Sequence, residues 1–270
     1  MTDAVFTVDR IVHDLEDLGV RRGDLLMVHA SLRRIGKVEG GPEGVLDALS
    51  IALGATGTML MVLGARDDWS WVNARDEAER PALLATAEPF DALTTPADPD
   101  VGYLAELFRR SPRTLVSNHP EGRFGASGQF AEFMTGNVAW HDYYGAGSPL
   151  ERLALNGGKV LRLGADEDTV TLLHYSEWLA NIPNKRRVRR HRRVARSAGP
   201  EIVHIDTIDD SDGIVPWDGE DYFALILRDY LALGRAAQGK VGNARSELIE
   251  ARDLVAFGVD WMERRLPAGR

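Results

Sequence analysis

The stretch "GDLLMVHASLRRIGKVEGGPEGVLDALSIALGATGTMLMVLG", residues 23–64, decides the fold. Leu25 to Val28 is a short apolar run that reads as a buried strand, and His29-Ala30-Ser31 ends it in a loop. Gly41-Pro42 announces a helix, with proline near its first turn. "GTMLMVLG" is a second apolar strand. Strand, loop, helix and strand in that order mark an α/β unit whose two strands run parallel through a right-handed crossover. Outward from this unit, residues 7–19 carry apolar positions at helical spacing, with Thr7 as N-cap and Gly19 as stop.

Further along, "VGYLAELFRR", "QFAEFMTGN" and "GSPLERLALNGG" read as helices, and "TLVS" and "KVLRLG" as strands. "SNHPEGRFGASG" reads as a loop, and "EIVHIDTID" as strand-like. "GEDYFALILRDYLAL" and "SELIEARDLVAFGVDWMERRL" carry amphipathic helical patterns, separated by the glycine-rich turn "GKVGNARS". Residues 65–100 interrupt the alternation with acids, prolines and tryptophans; insertions of that kind often carry function. The expectation is one α/β domain over residues 1–270, an α/β/α sandwich around a mixed central sheet, with long functional loops and an acidic insertion at about 65–100.

Composition narrows the function. The chain has 270 residues, 44% hydrophobic and 27% charged, enough for a full core. Its net charge of −9 disfavours nucleic acid and anionic membranes and favours cationic partners. It has no cysteine, which excludes disulfides, zinc–thiolate sites and cysteine nucleophiles. "MTDAVFTVDRIVHDLEDLG" lacks a signal-peptide pattern, and no apolar run approaches the roughly 20 residues of a membrane helix. A cytoplasmic protein is expected.

Four features could carry chemistry. In "TVTLLHYSEWLAN", residues 169–181, helical spacing puts Thr171, His174, Glu177 and Trp178 on one face. A carboxylate beside the imidazole would fix its tautomer and raise its basicity; the plain alternative is a core histidine bonded to a carbonyl. "VHASLRRIG" and its echo "SNHPEGRFGASG" are loops whose N–H groups could take phosphate oxygens, with Arg33, Arg34 and Lys37 adding positive charge. Neither GxxxxGK[ST] nor GxGxxG is present. The acidic insertion offers Asp67, Asp68, Glu79, Glu88 and Asp91 beside Trp69 and Trp71, suited to a polycation or simply a solvated face. Residues 185–196 hold eight Lys/Arg, read as an internal counter-charge for acidic loops, a contact for a phosphorylated cofactor or, least favoured, a nucleic-acid patch.

Taken in order, "VHASLRRIGKVEGGPEGVLDAL", "PFDALTTPADPDVGYLAELFRR", "SNHPEGRFGASG", "GAGSPLERL", "TLLHYSEWLANIPNKRR" and "GKVGNARSELIEARDLV" resemble the aminoglycoside 3-N-acetyltransferase family, over roughly residues 10–262. The resemblance implies an acetyl-CoA-dependent enzyme, without metal, that acetylates the 3-amino group of the 2-deoxystreptamine ring of a cationic aminoglycoside and so confers antibiotic resistance. It implies His174 as general base, with Glu177 or Glu220 as its carboxylate partner. It implies coenzyme A contacts at His29, Ala30, Ser31, Leu32, Gly36, Ser117 and His119; family members often carry arginine–serine before that last histidine, where this chain has Ser117-Asn118. The drug is expected on the insertion, at Asp67, Asp68, Trp69, Glu79, Glu88 and Asp91. His29 is the rival for base or oxyanion donor. Two other classes stay open: a CoA-dependent acyltransferase for another amine, and a non-enzymatic cation-binding protein.

Overall fold

The computed structural model describes residues 5–266. Its chain runs α1 (Val8–Leu18), β1 (Leu25–Ala30), α2 (Leu32–Ile35), α3 (Gly41–Leu53) and β2 (Thr58–Val62), then through the insertion, with α4 (Arg80–Leu84), to α5 (Tyr103–Arg110). It continues with β3 (Leu115–Val116), β4 (Phe124–Gly128), α6 (Ala131–Thr135), α7 (Pro149–Leu155), β5 (Lys159–Leu163) and α8 (Leu173–Leu179). The last part holds β6 (Arg187–Val194), β7 (Glu201–Ile208), α9 (Tyr222–Ala232), β8 (Ala237–Val241), β9 (Ala244–Glu250) and α10 (Ala251–Arg265).

Among the described residues, seven strands form one sheet in the order β3-β4-β2-β1-β5-β9-β8. β1 pairs parallel with β2, as the opening α/β unit predicts, and also parallel with β5. The outer strands are antiparallel, so the sheet is mixed. The unbroken apolar run of β1 is explained by burial on both faces. Leu25 and Met27 join the core beneath α7, α8 and α10, whereas Leu26 and Val28 join the core beneath α1 and α3. The result is the expected α/β/α sandwich.

Two readings change, one in each half of the chain. Ser246 to Glu250 is not helical: it lies in β9, which pairs with β5, and the helix begins at Ala251. Gly242 and Asn243 form a two-residue hairpin turn between β8 and β9, with Gly242 at a φ of +58°. Likewise Phe124–Gly128, read as loop, is strand β4 against β2.

β6 and β7 form a separate two-stranded ribbon, and the insertion packs on it. Phe90 N–H donates to Arg193 O at 2.8 Å, and Ala195 N–H donates back to Phe90 O at 2.8 Å. The arginines of the ribbon meet acids all along its length. Arg187 pairs with Asp142 at 2.9 Å, Arg189 with Asp206 at 2.6 Å and with Glu77 at 2.9 Å, and Arg192 with Asp67 at 2.6 Å. The basic run is therefore an internal counter-charge to the acidic loops.

On the other side of the insertion, Arg123 enters from the start of β4. It is fully buried and donates to the carbonyls of Gly64 (2.6 Å), Ala92 (3.2 Å), Thr95 (2.8 Å) and Pro96 (2.8 Å). One guanidinium thus closes both ends of the insertion. The fork of five donors makes arginine suited to this task.

Candidate active site

β5 ends at Leu163, and a polar turn leads to α8, whose first turn carries His174. α8 lies tightly on α10: Ser176 Oγ donates to Val255 O at 3.2 Å, and Gly258 gives room, since a Cβ there would sit 2.8 Å from Ser176 Oγ. This packing turns Glu177 inward and leaves His174 at the rim. The Glu177 side chain is 1% exposed and that of His174 18%. The spacing of three brings them together, and His174 Nδ1–H donates to Glu177 Oε2 at 2.7 Å. Nε2 is then the ring nitrogen left to take a proton. Tyr144 stacks on the imidazole at 4.9 Å with planes 9° apart, and Phe223 meets it edge-on at 4.8 Å.

The second carboxylate oxygen of Glu177 accepts from the Tyr222 hydroxyl, which in turn lies within 3.4 Å of the Ile214 N–H. Burial acts to lower the pKa of His174, but the Glu177 carboxylate, with Asp210 and Asp221 behind it, outweighs that and holds it above its ordinary value. His174 and Glu177 open on a cavity of about 410 Å³ whose wall includes Asp168, Asp210, Asp212, Asp221 and Trp217. Asp210 is anchored by Arg190 at 2.5 Å and by the Tyr143 hydroxyl at 2.5 Å.

A second cavity, of about 550 Å³, lies at the carboxyl ends of β1 and β2, where open α/β sheets bind ligands. It is lined by His29, Ala30, Ser31, Leu32 and Arg33, by the start of α5, and by Thr169 and Thr171 of the turn before His174. The β5–α8 turn is thus a wall common to both cavities: Asp168 faces one, Thr169 and Thr171 the other. His29 Nε2 is buried with no partner. Burial, with Arg162 on the neighbouring strand, pushes His29 down to about 4, so its ring is neutral at pH 7.

Comparison with known proteins fits this geometry. The family model for aminoglycoside 3-N-acetyltransferases matches residues 27–263. The chain belongs to the aminoglycoside 3-N-acetyltransferase family. Aminoglycoside N(3)-acetyltransferase VII of Streptomyces paromomycinus is 39% identical, over 98% of this chain and 94% of its own length. Aminoglycoside N(3)-acetyltransferase III of Serratia marcescens is 40% identical, over 97% and 99%. Among solved structures, AAC-IIIb in a binary complex with CoASH superposes with a TM-score of 0.93 at 39% identity, covering 98% of this chain and 99% of that one. AAC-VIa bound to sisomicin gives 0.91 at 38% identity, covering 97% and 99%.

Within this acetyltransferase the expected site residues divide. His174 and Glu177 meet, whereas Glu220 is exposed and paired with Arg228, so the carboxylate beside His174 is Glu177. Thr171 precedes the helix instead of sharing its face, and Trp178 stacks on Tyr175. Of the expected coenzyme contacts, His29, Ala30, Ser31 and Leu32 line one cavity. Gly36 ends α2 against Asn243. Ser117 and His119 are fully buried and saturated. Ser117 Oγ accepts from Phe124 N–H at 2.8 Å; His119 Nδ1 accepts from Gly122 N–H at 2.8 Å while Nε2–H donates to Trp140 O at 2.9 Å. Their geometry is that of scaffold.

The insertion residues gather elsewhere. Asp67, Asp68, Trp69 and Glu88 line a cavity of about 360 Å³ shared with Arg66, Arg192 and Arg193. Asp67 is spent on Arg192, and Asp68 lies 3.1 Å from Arg66. Asp91 Oδ1 caps the N–H groups of Leu93 and Thr94, and Glu79 precedes α4 on the surface. Beyond Glu177, the acids that line the cavity at His174 are not among the expected site residues. Three of them, Asp210, Asp212 and Asp221, come from the acid-rich "DDSDGIVPWDGEDYF", residues 209–223, in which the expectation rested on Glu220 alone.

Proposed function

We propose that this enzyme transfers an acetyl group from acetyl-CoA to the 3-amino group of the 2-deoxystreptamine ring of aminoglycosides, directly, with His174 as general base and Glu177 as its partner. The observation that carries this reading is the His174–Glu177 pair at 2.7 Å opening on a cavity walled by aspartates. The relatives support it by name, one solved relative by bound CoASH and another by bound sisomicin.

A drug amine is protonated at neutral pH and must lose its proton before it can attack a carbonyl. Nε2 of His174 would take that proton, and the imidazolium formed would be stabilised by Glu177. Asp168 and Asp212 would hold the other ammonium groups, and Asp210 and Asp221, already bonded to Arg190 and to the first N–H groups of α9, would add negative potential to the wall. The second cavity suits coenzyme A: it is long enough to abut the β5–α8 turn, Arg33 adds a cation, and His29 offers an unpartnered nitrogen. Acetyl-CoA bound there would present its thioester: the amine nitrogen forms the C–N bond, the C–S bond breaks, and coenzyme A leaves as the free thiol with a proton returned from His174.

The aspartate wall gives a direct test. The double variant Asp168→Asn/Asp212→Asn removes two exposed carboxylates and spares Asp210, which is paired with Arg190. At low salt it is expected to raise KM for the drug about 2- to 10-fold, with KM for acetyl-CoA unchanged, and the gap should narrow as salt rises. The matched variant Asp67→Asn/Asp68→Asn serves as control for the insertion. A drug KM raised only by the insertion pair would move the drug site there.

A further inference from the structure

The far side of Glu177 holds the clearest unassigned feature near the reacting groups. Both carboxylate oxygens of this buried residue are used, one by His174 and the other by the Tyr222 hydroxyl. Tyr222 is itself 7% exposed, at the first position of α9. Its hydroxyl lies 3.4 Å from the Ile214 N–H, which donates to it. Gly213, at a φ of +76°, lies against the phenol ring: a Cβ there would come within 3.0 Å of the hydroxyl oxygen. Asp221, one residue before Tyr222, caps α9 through the N–H groups of Phe223 and Ala224 and lines the acceptor cavity. The loop that carries Asp210, Asp212 and Asp221 is thus folded around Tyr222.

We propose that Tyr222 is a positioning residue for acetyl transfer, its hydroxyl anchoring the second oxygen of Glu177 so that the carboxylate stays oriented toward Nδ1 of His174. This rests on the reading of His174 as general base. The physical argument is one of satisfaction and orientation. A carboxylate buried to 1% exposure needs donors at both oxygens, and a single imidazole leaves one unmet. Without the second donor that oxygen is unmet, and the imidazole alone faces the full charge of the carboxylate. The phenol remains a donor throughout, because burial first, and Glu177 beside it, push its pKa far up. Tyr222 also joins the two halves of the site, since the hydroxyl that fixes the base is wrapped by the loop that bears the acidic wall.

The test uses Tyr222→Phe, which keeps the buried ring and deletes the hydroxyl. Charged groups facing the dyad are Asp210 from the β7–α9 loop, Asp221 at the start of α9, and Lys185, whose Nζ is fixed on Trp178 O at 2.8 Å. Asp168 lines the same cavity, and all of these are retained. Loss of the donor leaves more charge on Glu177, so the dyad binds its proton more tightly. The acid limb of kcat should move to higher pH by roughly half to one pH unit, and the kcat plateau should fall about tenfold, with both KM values near those of the parent. In a Glu177→Gln background the same substitution should add no further loss, because Tyr222 acts through Glu177.

A readout free of turnover is the titration of the His174 ring nitrogens by ¹⁵N NMR, which should shift upward in Tyr222→Phe. An unmoved NMR titration together with an unmoved acid limb would overturn the proposal, as would a full additional loss in the Glu177→Gln background. If the parent enzyme acetylated no aminoglycoside, the proposed function would fail, while the NMR titration would still decide the role of Tyr222.

Discussion

Replacing His174 by asparagine is expected to lower kcat by about 10²- to 10⁴-fold, the range that general-base catalysis supplies. Asparagine can still donate toward Glu177, so the buried carboxylate keeps a partner and the fold is retained. It has no basic nitrogen to take the amine proton. KM for acetyl-CoA should stay within about twofold of the parent, since the cavity proposed for the coenzyme is lined by other residues. In the parent, kcat/KM should rise with pH through a pKa above the ordinary 6.5 of histidine, because only the neutral ring is a base and Glu177 stabilises the charged one. His29 is a weaker candidate on the same grounds. With its pKa near 4 it is neutral at working pH but binds a proton poorly. His29→Ala should therefore retain the acid limb and act mainly on KM for acetyl-CoA. Turnover of His174→Asn within tenfold of the parent, or loss of the acid limb in His29→Ala alone, would exchange the two roles.

Arg123→Ala is the substitution with the largest expected cost to stability. The parent side chain is fully buried and serves four carbonyls, those of Gly64, Ala92, Thr95 and Pro96. It also lies over the Phe90 ring, 5.5 Å from its centroid. Removing the donors strands buried acceptors, each of which costs free energy when unmet. A loss of about 3–5 kcal/mol is expected, or roughly a 10 °C drop in Tm. Arg123→Met restores much of the volume but no donors, and should recover only a small part of the loss. Limited proteolysis should cut within residues 65–96 in both variants before it cuts the parent. The insertion is tied to the acceptor cavity through a chain of ion pairs, Asp67–Arg192–Glu121 and Arg190–Asp210. Loosening it should raise KM for the drug as well. A change below about 1 kcal/mol in urea unfolding would mean that Arg123 is not the clasp of the insertion.

How far these features could be read from sequence depends on whether their partners are close along the chain. The β1–α3–β2 unit was legible because each element carries its own pattern, two apolar runs flanking a helix that starts at Gly41-Pro42. His174 and Glu177 were legible because a helix turns a spacing of three into contact. Spacing alone left open the choice between a base and a core histidine, and the reading of His174 as base rests on the resemblance of the motifs around it. β9 was not legible. Its Glu247 points into the sheet and pairs with Arg162 at 2.8 Å, so no clean apolar run marks the strand, and it passes into α10 without a breaking residue. A histidine in a glycine-rich loop suggests a ligand contact, and the two ring nitrogens of His119 instead tie that loop to Trp140 and Gly122, partners that its sequence neighbourhood does not announce. Tyr222 meets Glu177 from 45 residues away, and Arg190 meets Asp210 from the opposite strand of a ribbon. Contacts of that kind arise only from the packed fold.

The most direct measurement is the site of acetylation. The enzyme is incubated with acetyl-CoA and sisomicin, free thiol is followed with time, and the product is assigned by two-dimensional NMR. The prediction is thiol release that depends on the drug, one thiol per acetyl group gained, and the acetyl on the 3-amino group of the 2-deoxystreptamine ring. Thiol release that is indifferent to the drug, or a product acetylated at a different amine, would contradict the assignment.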